Sequence, residues 1–303
     1  MIIKNRQESY DLMVLRMLNN RMELHEKEKN LLRYLIKGYK GELLFDEWLT
    51  LFSGAGLILN DLLLEHNNTI FQIDTLLFTS STVYLFEVKN YEGDYLIEGD
   101  RWYTKARHEI KNPLLQLRKN DSLLSQLLHK SGCNLPVITN LIFVNPGFHL
   151  YNAPFTLPAV FSSQKERFIS DLSVFSDSLS PYQKQLAERL SCMHLKKSPY
   201  FRLPEYKYEK LKKGICCAEC GSIHTSFGNR IYLLCDSCSF RESYEKGILR
   251  SIGELKTLFP DKKLTTNLIQ EWCQVFSKVA VRSVLGRNFT KCGNKRGAYY
   301  VVK

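Results

Sequence analysis

The sequence predicts an α/β fold followed by a cysteine-rich module and a basic helical tail. Three observations predict it. Residues 41–144 alternate between helical and β-rich apolar patterns, two CxxC pairs sit near residue 230, and positive charge concentrates beyond residue 195. At 303 residues the chain is long enough for two domains, and its 44 % apolar content supports a core and excludes global disorder.

The elements follow in order. Residues 8–37 read as helical, with Met13, Met17, Leu18, Met22 and Leu24 among many charges, and residues 1–34 are expected to form an N-terminal helical extension. A helix over residues 41–52 places Leu44, Phe45, Trp48 and Leu49 at helical spacing. Its start is expected near Gly41, because Gly38 and Gly41 would weaken a helix interior. Gly54-Ala55-Gly56 ends it, and strands are predicted at 57–63, 70–78 and 83–91. Asn112 and Pro113 are suited to the N-cap and first position of a helix running to about residue 129. A strand over 137–144 follows, then an extended piece between Pro154 and Pro158, a helix over 181–194 and a basic linker over 196–213.

The central hairpin carries the chemistry. Thr79-Ser80-Ser81-Thr82 separates two β-rich runs. A symmetric tip, with Thr79 facing Thr82, sets Asp74 opposite Glu87, with Cβ atoms about 5 Å apart. Lys89, two residues on, points to the same face. Two opposed carboxylates destabilise a sheet unless a cation compensates, and the candidates are Lys89 and a divalent metal. The alternative is a salt-bridged exposed sheet face.

Asp…Glu-x-Lys resembles the active site of the PD-(D/E)xK nucleases, and the surrounding residues resemble one branch of them, the nuclease-related domain (NERD). Gly38-Tyr39-Lys40-Gly41-Glu42 is similar to that family's GxxGE, and Gln72-Ile73-Asp74 to its QID. Glu87-Val88-Lys89-Asn90 with Gly93 resembles its strand end, and Trp102 precedes Asn112-Pro113-Leu114-Leu115-Gln116, which is similar to NPxxQ. The resemblance covers about residues 35–130 and implies a nuclease domain over 35–160 with a restriction-endonuclease-like core, a mixed sheet flanked by helices. It implies hydrolysis of phosphodiester bonds with Mg²⁺ or Mn²⁺ on Asp74 and Glu87, and Glu42 as an auxiliary metal-binding carboxylate. Lys89 would act on the attacking water and the transition state, and Gln116 would hold the water or a phosphate.

Cys217, Cys220, Cys235 and Cys238 form two CxxC knuckles, spaced to enclose one tetrahedral Zn²⁺ in a closed structural site. Cys216 is a spare or alternative ligand. Gly228-Asn229 and the alternating apolar residues between the knuckles predict a hairpin, so residues 214–244 resemble a zinc ribbon. Nine cysteines are an odd count, and the N-terminus lacks the apolar run of a signal peptide, which together favour a reducing, cytoplasmic setting.

Through Leu195 the chain has 21 basic and 22 acidic residues; beyond it, 21 basic and nine acidic. That asymmetry is the electrostatic footprint of a nucleic-acid-binding module. Within residues 245–303, helices over 264–276 and 278–289 are joined at Ser277, and a basic turn and a strand follow. This order looks like a winged helix, with Lys278, Arg282 and Arg287 on the recognition helix, to one side of Val279, Val281, Val284 and Leu285, and Lys291, Lys295 and Arg296 on the wing. The bland alternative is a small helical bundle with solvated charges. The partner expected is nucleic acid, DNA first, with no membrane segment and no Walker A loop for NTP. The sequence therefore points to a metal-dependent DNA nuclease, against the alternative of a non-catalytic nucleic-acid-binding regulator built on the same scaffold.

Overall fold

A computed structural model describes residues 1–173, 178–223, 232–275, 277–294 and 297–302. The chain divides into two compact units, Met1–Asp11 with Arg33–Phe201, and Leu12–Leu32 with Arg202–Lys303. In chain order the elements of the first half are β1 (Ile2–Lys4), α1 (Tyr10–Arg21), α2 (Glu26–Leu49), β2 (Leu57–His66), β3 (Thr69–Phe78), β4 (Val83–Lys89), β5 (Gly93–Glu98), β6 (Arg101–Thr104), β7 (Glu109–Ile110) and α3 (Pro113–Lys130). Then come β8 (Val137–Phe143), β9 (Phe148–Tyr151), β10 (Ala159–Phe161), α4 (Lys165–Ser173) and α5 (Pro181–Cys192).

The first unit is built on a mixed sheet in the order β1-β2-β3-β4-β8-β10. β2, β3 and β4 form the antiparallel meander, while β1, β8 and β10 each join in parallel. The hairpin register is the expected one: Phe78 faces Val83 and Thr75 faces Phe86, with Thr79 N–H donating to Thr82 O at 2.9 Å. Each face of the sheet is covered. Leu76, Leu85 and Leu141 lie in one buried cluster with Leu117, Leu124 and Leu128 of α3 and with Leu186 and Leu190 of α5. Leu77, Phe86 and Ile142 lie in another with Phe45 and Trp48 of α2 and with Ile169 and Leu172 of α4. Leaving water as whole apolar faces is the main drive for this layering. A second sheet, β7-β6-β5-β9, buries Trp102 and was not anticipated from the sequence.

The helices follow their caps. Asn112 Oδ1 accepts Leu114 N–H at 2.9 Å with Pro113 at the first position, and Ser180 caps α5 in the same manner. Three expectations need correction. Residues 1–34 are not helical throughout, because β1 forms the sheet edge and α1 and α2 are separate helices. α2 does not begin at Gly41; it passes through Gly38 and Gly41 without a break. The reason at Gly41 is tertiary, because a Cβ there would lie 2.5 Å from Asn90 Cβ. The piece between Pro154 and Pro158 is a turn closed by Leu157 N–H donating to Pro154 O.

The second unit contains β11 (Tyr232–Leu234), β12 (Arg241–Ser243), α6 (Tyr244–Leu258), α7 (Thr266–Cys273), α8 (Lys278–Asn288), β13 (Phe289–Cys292) and β14 (Tyr299–Val302). Tyr208 and Leu211, expected within the linker over 196–213, are buried in this unit, where Tyr208 stacks on Trp272 at 5.7 Å between ring centres. Arg21 lies over the same Trp272, 3.9 Å from the ring centre, and pairs with Glu254 at 2.6 Å. α6 was not anticipated. α7 is shorter than the expected helix, ending where Gln274 turns left-handed. Among the described residues no helix is long and apolar enough to cross a membrane.

Candidate functional site

Two of the predicted acidic residues, Asp74 and Glu87, meet where β3 and β4 part. The β3–β4 ladder ends at Thr75 and Phe86, and Asp74 and Glu87 come next on the two strands. Asp74 Oδ2 accepts the Val88 backbone N–H at 2.8 Å, so the carboxylate stands where a ladder carbonyl would. Glu87 is buried, and its two oxygens face different partners. Oε1 accepts from Lys89 Nζ at 2.6 Å, and Oε2 accepts from Asn120 Nδ2 at 3.2 Å. Gln116, one turn into α3, accepts from Lys89 Nζ at 3.3 Å through its Oε1. The period of two along β4 and the i, i+4 spacing on α3 deliver these four side chains to one place.

Electrostatics define the character of this site. Burial raises the carboxyls of Asp74, Glu87 and Glu42 above their ordinary range, and mutual repulsion adds to it for Glu42 and Glu87 beside Asp74. Burial alone would lower the Lys89 ammonium, but Glu87 and Asp74 more than offset it and hold Lys89 above its usual value. Lys89 therefore stays charged at neutral pH. The cluster is short of positive charge, and its free chemistry is hard carboxylate oxygen.

Other residues reach the site without any sequence signal. Asp61, at φ 51°, sits on β2 between the register pairs Asn60–Thr75 and Leu62–Ile73, alongside Asp74 of β3. Lys4 Nζ lies 3.7 Å from Asp61 Oδ2. Arg6, just past β1, binds Glu42 and Asp46 of α2 at 2.6 and 2.8 Å. Asn120 also donates to Gln72 O at 2.7 Å, tying α3 to β3. A left-handed backbone at Asp61 is the kind of strain that marks functional sites, and no residue pattern in the sequence announces it. His108, near in sequence, is an exposed loop residue.

The second cluster is sulfur. The Sγ atoms of Cys217, Cys220, Cys235 and Cys238 all lie within 4.8 Å of one another, a grouping that could hold a metal ion. The two knuckles share one turn design. Gly221 N–H donates to Cys217 O and Ser239 N–H to Cys235 O, with Gly221 and Ser239 both left-handed. Each knuckle tips a short hairpin, through the Cys216–Ile223 bridge and the β11–β12 pair. The Cys217–Cys238 and Cys220–Cys235 separations are 3.6 and 3.5 Å. Four sulfurs about 2.3 Å from a tetrahedral zinc would stand about 3.8 Å apart. Cys216 is buried outside this group. The hairpin expected around Gly228-Asn229 lies outside the described residues.

In the tail, Ser277 caps α8, and Val281, Val284 and Leu285 are buried while Lys278, Arg282 and Arg287 are exposed. Val279 is not on the apolar side as expected; it is 73 % exposed. Arg287 pairs with Glu245 of α6 at 3.0 Å. β13 and β14 form an antiparallel hairpin, to which Leu264 adds a bridge at Tyr300. Lys291 is exposed on this hairpin, and Lys295 and Arg296 lie outside the described residues.

No curated protein and no solved structure matches the chain. Residues 37–144, about a third of the chain and the stretch that holds Glu42, Asp74, Glu87, Lys89 and Gln116, match the family model of the nuclease-related domain.

Proposed function

We propose that this protein is a metal-dependent nuclease that hydrolyses DNA phosphodiester bonds. The observation that carries the reading is the Asp74–Glu87–Lys89 arrangement where β3 and β4 part, buried, acidic and short of positive charge. Buried carboxyls held above their ordinary range are what a divalent cation would relieve, and carboxylate oxygens suit Mg²⁺ or Mn²⁺. Asp74 and Glu87 would hold it. When bound, such an ion lowers the pKa of water and offsets charge on phosphate oxygens.

The chain's own groups do the rest. Lys89, charged and 2.6 Å from Glu87, donates to developing negative charge on the phosphate and does not serve as a base. Gln116 accepts from Lys89 through its oxygen, and its amide N–H groups would serve to hold water or a phosphate oxygen. Asn120 fixes the Glu87 carboxylate from behind.

In this reading the four cysteines hold a structural Zn²⁺. The tail is a winged-helix-like module that brings α8, with Lys278, Arg282 and Arg287, and the Lys291 hairpin to nucleic acid, joined by Lys295 and Arg296. The rival is a regulator that binds nucleic acid and does not cut.

The test is incubation with linear, circular and single-stranded DNA, with Mg²⁺, with Mn²⁺ and with chelator. Glu87→Ala and Lys89→Ala proteins run alongside. Cleavage that needs the metal and is lost in both variants supports the nuclease. Intact DNA throughout, with equal binding by all three proteins, replaces it with the regulator.

A further inference from the structure

Arg6 is an arginine in an unexpected place. It stands just past β1, and its side chain is 2 % exposed. Every nitrogen of the guanidinium is engaged. Nη1 donates to Glu42 Oε2 at 2.6 Å and Nε to Asp46 Oδ2 at 2.8 Å. Nη2 donates to Asp46 Oδ1 at 2.9 Å and to Thr75 Oγ1 at 2.8 Å. The Asp46 contact is the two-pronged fork that suits arginine and not lysine. Thr75 adjoins Asp74 on β3, so Arg6 joins α2 to the strand that bears the acidic site.

This position matters for how many cations the site accepts. Two-metal hydrolytic centres keep their ions about 4 Å apart, with carboxylates serving both. Glu42, the auxiliary carboxylate, is the residue that would serve a second ion, and Arg6 already holds it. Taking Glu42 away would leave part of a buried arginine's charge uncompensated, which is unfavourable as breaking any buried pair is. A further observation agrees. Among the described residues the four cysteines are the one group of three or more acidic, histidine or cysteine side chains gathered closely enough to hold an ion; Glu42, Asp74 and Glu87 do not gather so.

We propose that Arg6 takes the place of a second divalent cation, so that the centre binds one ion, on Asp74 and Glu87, while Glu42 is a salt-bridge partner and not a ligand. Arg6 is then a positioning residue. Its fixed single charge offsets part of the acidic charge on the α2 side of the site and leaves the β4 side to the exchangeable ion. The proposal rests on the metal-dependent reading above, and its test separates the two.

The test counts Mn²⁺ bound to the full-length, zinc-loaded chain, by electron paramagnetic resonance of the free ion and by calorimetry. An Asp74→Asn, Glu87→Gln double variant sets the background of adventitious sites. The expected result is one ion above background for the wild type and one for Glu42→Gln, which keeps a hydrogen bond to Arg6 and so carries the test even where Arg6 variants unfold. Arg6→Gln is expected to gain a second ion with a spin-coupled signal, and Arg6→Lys to return the count to one. Two ions on the wild type, or none on Glu42→Gln, overturns the assignment of Glu42 and Arg6 while leaving the nuclease reading intact. No ion above background on the wild type removes the nuclease reading and this proposal with it.

Discussion

Lys89 Nζ lies 2.6 Å from Glu87 Oε1, two residues back along the same strand, and the pair is nearly closed to solvent at 12 % and 1 % exposure. Each side chain holds the other's charge in a setting that would otherwise neutralise it. Replacing Lys89 by Met strands Glu87 in the interior and is expected to cost about 3 kcal/mol of stability. The Glu87→Gln, Lys89→Met double variant should lose less than Lys89→Met alone. Urea unfolding of the four proteins measures the coupling, and additive single effects would show that the ion pair carries no weight.

Gly38 and Gly41 share α2 but not a role. Nothing lies within 4 Å of a Cβ built at Gly38. Gly38→Ala should therefore stabilise the protein by about 0.5–1 kcal/mol through helix propensity. At Gly41 a Cβ would come 2.5 Å from Asn90 Cβ, so helix or strand end must move. Gly41→Ala is expected to destabilise by about 1–3 kcal/mol despite the same propensity gain. Thermal unfolding reads both, and opposite signs are the expected outcome.

The four-cysteine cluster predicts one zinc per chain. X-ray absorption should find four sulfurs at about 2.3 Å and no nitrogen or oxygen. Cys235→Ser should release the metal, and Cys216→Ser should retain it. A mixed ligand shell, or zinc lost with Cys216, would replace the closed four-sulfur site with another.

Asp11 gives the fold a pH dependence of its own. Its Oδ1 is buried with no hydrogen-bond partner among the described residues, and burial pushes the carboxyl up from 3.8 to about 6 against the pull of Lys197. The folded chain thus holds this proton more tightly than the unfolded one. Stability contributed by the protonated group is present below about pH 4 and is lost as pH rises towards about 6. Partial exposure limits the effect to on the order of 1 kcal/mol. Asp11→Asn should flatten that stretch of the stability–pH curve, and an unchanged slope would assign it elsewhere.

Much of the site was legible because its signals are local. The Thr79–Thr82 turn fixed the hairpin register, and a period of two then put Asp74, Glu87 and Lys89 together. Asn112 and Ser277 marked helix starts by the oxygen each offers to a free N–H. What stayed hidden is non-local. Arg6 and Lys4 reach the acidic site only because a three-residue strand joins the sheet edge beside β2, and nothing in Ile2-Ile3-Lys4 announces that pairing. Gly41 misled because helix propensity was weighed without the side chain of Asn90. Asp61 is an ordinary polar residue in an apolar run until its backbone turns left-handed.

The division of the chain has a consequence for its birth. Leu12, Val14, Leu15 and Leu18 are buried, and they belong with residues from Arg202 onward. Arg21 meets Glu254 across 233 residues of sequence. A ribosome making this protein releases that apolar helix about 180 residues before its companions. Until residues beyond Arg202 emerge, the stretch from Leu12 to Leu32 waits without its core, the span in which a chaperone would find it. A fragment ending near Phe201 would keep it waiting indefinitely.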